Sequence, residues 1–195
     1  MVKVPQAGRV KTRLARGIGT VGAVQVYRHT TSAVLARIVR PREWQTVLAV
    51  APDPARSSRA FPSHIARIAQ GQGDLGARMQ RVMDTLPPGP VLIIGSDIPG
   101  ITARHVRAGY KMLAGRDAVF GPAPDGGYWM VGLVRRPRVP RAFQNVRWSS
   151  EHALADTRKN LTGQAVALIE ELDDIDDAAG LAKMSGAHGR WVMPR

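Results

Sequence analysis

Apolar positions along this chain follow two alternating spacings. Val24, Tyr27, Thr31, Val34, Leu35 and Ile38 recur every three or four residues, which predicts a helix with one buried face. Leu75, Met79, Val82, Met83 and Leu86 do the same. A third helix is expected to start at Thr102, a residue type suited to N-capping, and to bury Val106, Tyr110 and Leu113. Ser149 or Ser150 would cap a fourth. Between the helices lie short apolar runs. Residues 47–51 end at Pro52-Asp53-Pro54, and residues 91–94 end at Gly95. The unbroken apolarity of 91–94 suits a parallel strand covered on both faces. Residues 118–120, 129–134 and 165–169 complete the expected strands, while 135–141 read as a basic loop. Strands alternating with helices predict an α/β fold with a mostly parallel central sheet, in one domain over residues 1–195.

Composition narrows the function classes. No apolar run is long enough to span a membrane, and no apolar core follows the first basic residues as in a secretory leader. Cysteine is absent, which removes disulfides and thiolate metal sites and fits a cytoplasmic protein. Lys and Arg number 28 against 15 Asp and Glu, a net charge of +13. Arg supplies most of that charge and is scattered from Arg9 to Arg195, as a compositional bias would leave it. Small anionic substrates are the functional alternative. Nucleic acid is disfavoured, because aromatics at 5% are too few for a base-stacking platform.

Five segments could carry chemistry. In Gly8-Arg9-Val10-Lys11-Thr12-Arg13, a glycine-containing loop with cations ahead of a helix can cradle phosphates; the alternative is a solvated basic stretch. It is not a Walker A loop, since Val10 rather than Gly precedes Lys11-Thr12. Gln70-Gly71-Gln72-Gly73-Asp74-Leu75-Gly76-Ala77-Arg78-Met79 is a second glycine-rich entry to a helix, with Asp74 as candidate cap. Asp97, in Gly95-Ser96-Asp97-Ile98-Pro99, lies just past the carboxyl end of the most apolar strand, where open α/β sheets bind ligands. One carboxylate there can hold Mg²⁺ or Mn²⁺ with substrate phosphates completing the shell; otherwise Asp97 caps the next helix. Asp125-Gly126-Gly127-Tyr128 is either a hairpin turn or a site that a ligand approaches closely. The run Asp173-Asp174-Ile175-Asp176-Asp177 is either a metal-holding cluster or a solvated helix start. The five histidines show no metal-ligand spacing, and no Gly-x-Ser-x-Gly elbow is present.

In order, the chain reads K-x-P-x-x-G-x-V-K-T-R-L, Q-G-x-x-x-x-G-x-R-M, I-I-G-S-D-x-P, G-P-A-x-D-G-G-Y-W, W-S and D-I-D. That series resembles a bacterial family of GT-A-superfamily glycosyltransferase-like proteins, including radical-SAM/selenodomain-associated transferases, across nearly the whole chain. More remotely it is similar to the molybdenum-cofactor and phospholactate guanylyltransferases. The resemblance implies a Rossmann-like GT-A fold, a nucleotide-diphospho-sugar donor and a divalent metal. It places Gly8, Lys11, Thr12 and Arg13 at the phosphates. Gly73, Asp74, Gly76 and Arg78 fall near the base or ribose. Asp97 and Asp176 fall at the metal, and Asp125, Gly126, Gly127 and Tyr128 on the acceptor side. Asp125 is the one carboxylate nominated as general base, and the acceptor is unknown. Two departures stand out. The family opens with an apolar strand before K-x-P, whereas only Met1-Val2 precede Lys3, so the first strand is expected to be truncated. The closing D-x-D-T-x-x-D-L pattern has Asp177 for Thr and Gly180 for its last Asp. Nucleotidyl transfer is the near alternative. A basic nucleic-acid binder or a structural remnant of the fold are the non-enzymatic ones.

Overall fold

The computed structural model describes residues 1–136 and 138–173. Residues 47–51 form strand β2 (Val47–Ala51) between β1 (Val2–Lys3) and β3 (Ala66–Ala69), and all three run parallel. A second sheet holds β4 (Gly89–Ile94), β5 (Ala118–Pro122), β6 (Tyr128–Arg135) and β7 (Val166–Leu168) in the order β4-β6-β5-β7. Only β6 opposes its neighbours; β5 and β7 are parallel. The helices are α1 (Thr12–Ile38), α2 (Leu75–Thr85), α3 (Ala103–Leu113) and α4 (Ala153–Lys159). This is the α/β architecture that the alternating pattern predicts.

The apolar run in β4 is continuous because each face of the strand has its own cover. Val91 and Ile93 join a core with Met79, Val82 and Met83 of α2 and Phe120 of β5. Leu92 and Ile94 pack on the opposite side with Val34 and Ile38 of α1 and Val106 of α3. Alternating residues thus serve two helical layers, although the strand is not the parallel one that the run suggests: its neighbour in the sheet, β6, runs antiparallel to it. Among the described residues no helix is long and apolar enough to cross a membrane.

Several boundaries differ from the sequence expectation. α1 begins at Thr12, well ahead of Val24, and is interrupted at Gly19 (φ 78°, ψ 161°). Glycines and arginines in its first turns hide the helical period. β3 is short and only partly buried, so its four residues carry no alternation worth reading. α4 is preceded by His152, not by either serine; Ser150 Oγ instead accepts a hydrogen bond from the His152 amide at 3.3 Å. The stretch after β6 is not merely a basic loop, because Val139, Ala142 and Phe143 enter the core.

β1 is two residues long, and its beginning is chemically unusual. The Met1 ammonium donates to the Ile94 carbonyl at 2.5 Å, reaching from the first sheet to the second. Burial pushes this amine down to about 6 from its usual 8, with Asp97 opposing the shift.

Candidate active site

The carboxyl ends of β1, β2, β3, β4 and β5 share one edge of the fold, and the candidate residues gather there. β4 stops where Gly95 N donates to the Trp129 carbonyl at 3.0 Å, and the chain turns into Ser96-Asp97. Opposite, the loop after β1 closes with Arg9 N on the Gln6 carbonyl at 3.0 Å and with Gly8 at φ 73°. Lys11 then adopts a left-handed conformation (φ 47°, ψ 48°) immediately ahead of α1. Its Nζ lies 3.1 Å from Asp97 Oδ2, with the lysine side chain 5% and the aspartate 38% exposed. Two segments more than eighty residues apart thus meet in a buried cation facing a reachable carboxylate. Thr12 and Arg13 follow on the exposed first turn.

Tyr27, which the sequence marked only as helix face, ties these segments together. Its hydroxyl accepts from Lys3 N at 2.8 Å and lies 3.2 Å from Ser96 Oγ. Burial pushes the Tyr27 phenol up, so it stays neutral and keeps its proton for such bonds. A mid-helix tyrosine gives no local sign of this role; only the tertiary fold brings it to β4. Asp97 does not cap α3, because the Thr102 amide at that helix start donates to His105 Nδ1 at 3.1 Å.

The second glycine-rich loop is built from backbone anchors. Gln70 Nε2 donates to the Val2 carbonyl at 2.9 Å and the Ala49 carbonyl at 2.8 Å. Gly71 N donates to Asp53 Oδ1, and Arg81 Nη1 donates to the Gln70 and Gln72 carbonyls. Gly73, at φ 102°, offers its carbonyl to Arg78 Nε at 2.9 Å, while Asp74 caps α2 by accepting from Ala77 N at 2.8 Å. Asp74 is therefore the cap that the sequence suggests. Gly76 has a packing reason: a Cβ there would sit 2.5 Å from the Phe143 carbonyl.

The Asp125 turn links β5 to β6. Gly126 N donates to the Ala123 carbonyl, and Gly127 N donates to Asp125 Oδ1 at 2.9 Å, which leaves the carboxylate exposed at the rim. Gly126 (φ 81°) accepts from Leu154 N at 3.0 Å, docking the turn on α4. Tyr128 turns inward. Its hydroxyl lies 3.3 Å from Thr157 Oγ1, its ring packs edge-on to Phe120 and Trp148, and burial pushes the phenol well up. The register sets Met130 opposite Ile94, so the start of β6 lies beside the end of β4 and the turn shares the edge with Asp97.

Comparison with known proteins fits this arrangement. A family profile described as "Uncharacterized protein conserved in bacteria (DUF2064)" matches residues 34–150. The chain belongs to that family. No match to it is found among curated proteins. Among solved structures, this DUF2064 chain is similar to a protein from Desulfovibrio desulfuricans G20 described as a "putative nucleotide-diphospho-sugar transferase". The TM-score is 0.83 at 26% identity, over 97% of this chain and 86% of that one. The chain therefore shares the fold of that protein.

A divalent ion fits this DUF2064 site only in part. Among the described residues no group of three or more His, Asp or Glu side chains is placed to hold a metal ion, so an ion at Asp97 would need ligands from outside the protein. Diphosphate oxygens and water can supply them, the usual arrangement for Mg²⁺. Asp176 lies outside the described residues.

Proposed function

We propose that this DUF2064 protein transfers a sugar from a nucleotide-diphospho-sugar donor to an acceptor. The observation that carries the reading is the meeting of Lys11 and Asp97 at the carboxyl edge of β4. A buried ammonium held beside a strand end suits an anion with two phosphates, and a preorganised cation in a site shielded from water stabilises charge far better than one in bulk solvent. Lys11, Arg13 and the amides of the Gly8 loop hold the diphosphate, and Asp97 would hold Mg²⁺ or Mn²⁺ against it. When bound, the ion neutralises charge gathering on the departing diphosphate. The loop from Gly73 to Arg78 takes the nucleoside.

The chemistry is a substitution at the anomeric carbon. The bond from that carbon to the β-phosphate oxygen breaks, and its electron pair leaves with the diphosphate. A new bond forms from an acceptor oxygen, whose proton passes to a base. Asp125 would take that role; the support for it is an exposed carboxylate whose Oδ1 accepts from Gly127 N.

The test is a thermal-shift screen of uridine, guanosine, thymidine and cytidine diphosphates and their sugars, with and without Mn²⁺ or Mg²⁺. Ligands that bind only the native state raise the melting temperature, by roughly 2.7 kcal/mol of stabilisation at a hundredfold excess over Kd. A metal-dependent shift for one base names the donor. Release of the nucleoside diphosphate from its sugar supports glycosyl transfer, whereas pyrophosphate release from a triphosphate would replace that reading with nucleotidyl transfer. No shift for any nucleotide overturns both.

A further inference from the structure

The turn that carries Asp97 is fastened at successive residues. Gly95 N donates to the Trp129 carbonyl of β6 at 3.0 Å. From α1, Thr31 Oγ1 donates to the Ser96 carbonyl at 3.4 Å, and Arg37 Nη1 donates to the Pro99 carbonyl at 2.7 Å. Lys11, just ahead of the same helix, meets the Asp97 carboxylate. The side chain of Ser96 is held by Tyr27. The buried Tyr27 oxygen accepts from Lys3 N at 2.8 Å, which leaves the phenol one proton to place. Among the described residues its hydrogen-bond partner for that proton is Ser96 Oγ, at 3.2 Å. A buried hydroxyl without an acceptor is costly, so Tyr27 donates and Ser96 accepts. A serine hydroxyl has one proton and two lone pairs. With a lone pair committed to Tyr27, Ser96 still holds its own proton, and no other described residue hydrogen-bonds its Oγ. Ser96 is half-buried, next in the chain to the reachable Asp97.

We infer that Ser96 is a ligand-binding residue whose hydroxyl, oriented by the Tyr27 phenol, donates a hydrogen bond to a phosphate oxygen of the donor's diphosphate. The inference rests on the donor site proposed above and adds a contact to it. An ammonium such as Lys11 supplies charge but little direction. A hydroxyl with a lone pair already committed supplies direction, because its proton must turn away from Tyr27. The relay runs one way, from the Lys3 amide to the Tyr27 oxygen, from the Tyr27 proton to Ser96, and from the Ser96 proton to the anion. Both ends of the turn are held by main-chain contacts, so the donor is in place before any ligand arrives. A donor set in advance acts on a charged group without the cost of reorganisation. Tyr27 is then a positioning residue and Ser96 the residue that touches the ligand.

Inorganic pyrophosphate is the probe, titrated calorimetrically at fixed Mg²⁺ into the unaltered protein, Ser96→Ala, Tyr27→Phe, the double variant and Lys11→Met. Urea unfolding without ligand reads any cost to folding separately. Ser96→Ala should weaken binding by about tenfold or more, the size expected for one hydrogen bond to a charged group. Tyr27→Phe should weaken it by less, since the hydroxyl stays but loses its orientation. The double variant should bind as Ser96→Ala does, because the phenol acts only through the serine. Losses that add in the double variant overturn the relay. If Tyr27→Phe does not fold, Ser96→Thr decides instead: it keeps a hydroxyl and should bind within a few-fold of the unaltered protein, and a loss equal to that of Ser96→Ala overturns the inference. Unchanged binding in Ser96→Ala with weakened binding in Lys11→Met overturns the inference and leaves the donor site standing. Binding indifferent to Lys11→Met and Ser96→Ala alike, or no binding to the unaltered protein, overturns both.

Discussion

Asp97→Ala should abolish metal-dependent nucleotide binding while leaving a weaker, metal-independent binding in place. The asymmetry follows from the geometry. Asp97 is reachable by solvent and ligand, whereas the Lys11 side chain beside it is nearly fully buried. Removing the carboxylate takes away a hard ligand at the strand end but spares the cation. A diphosphate then keeps Lys11 and the Gly8 loop and loses whatever the ion contributed. Loss of one electrostatic contact at the reacting charge costs about 10²–10³-fold in turnover. Lys11→Met should behave differently, weakening binding with and without metal. In Asp97→Ala folding suffers too, because Lys11 stays buried without this carboxylate, at about 1–3 kcal/mol. The two effects separate experimentally: urea unfolding without ligand reads the folding cost, and titration with and without Mn²⁺ reads the binding. Full metal-dependent binding in Asp97→Ala would sink the metal assignment.

Gly126→Ala should be among the most damaging single-carbon additions in the protein. The added Cβ would lie 2.1 Å from the Glu151 carbonyl oxygen and 2.5 Å from its carbon. These are backbone atoms, so no rotamer change relieves the contact. The φ of 81° adds roughly 1–2 kcal/mol for a left-handed L-residue. Glu151 precedes α4, and Leu154 N already donates to Gly126, so moving either one loosens the docking of turn on helix. A total of about 3 kcal/mol or more is expected, enough to lower the melting temperature by about 6–12 °C in a protein of this size. Gly163→Ala is the control. It has a φ of 83° with nothing within 4 Å, so it isolates the backbone cost. If the two variants melt together, the packing of the turn on Glu151 is looser than described.

What could be read from the residues alone follows the length of the signal. The helices at 75–85 and 103–113 carry several regular apolar positions each, and β4 carries an unbroken run; all three stand close to where the pattern puts them. β3 offers four residues, and the start of α1 is diluted by Gly17, Gly19 and Gly22, so neither shows a period. Within the candidate site, Gly8, Lys11, Asp97 and the Asp125 turn are local sequence features, and the fold sets them on one edge. Tyr27 could not be found that way, and Gln70, although it opens the Q-G-x-x-x-x-G-x-R-M series, gives no local sign of what it binds. Each acts through a contact dozens of residues distant, and in sequence one is a helix position and the other a loop polar residue. Gly76 and Tyr128 carry motif signals, yet their contacts are with Phe143, Trp148 and Thr157. A motif letter records that a residue is constrained without saying whether a ligand or a neighbour constrains it.

Gln70 has a mechanical consequence. One amide group clips the Val2 carbonyl and the Ala49 carbonyl, and the next residue opens the loop proposed to receive the nucleoside. The loop is hung from the first two strands by this side chain and by the Gln70 backbone amide on the Val50 carbonyl, while Arg81 braces it from behind. Any slack between those strands is transmitted to the loop as wobble. Discrimination between bases would then be tuned by tension in the sheet, at a distance from every atom that touches the base.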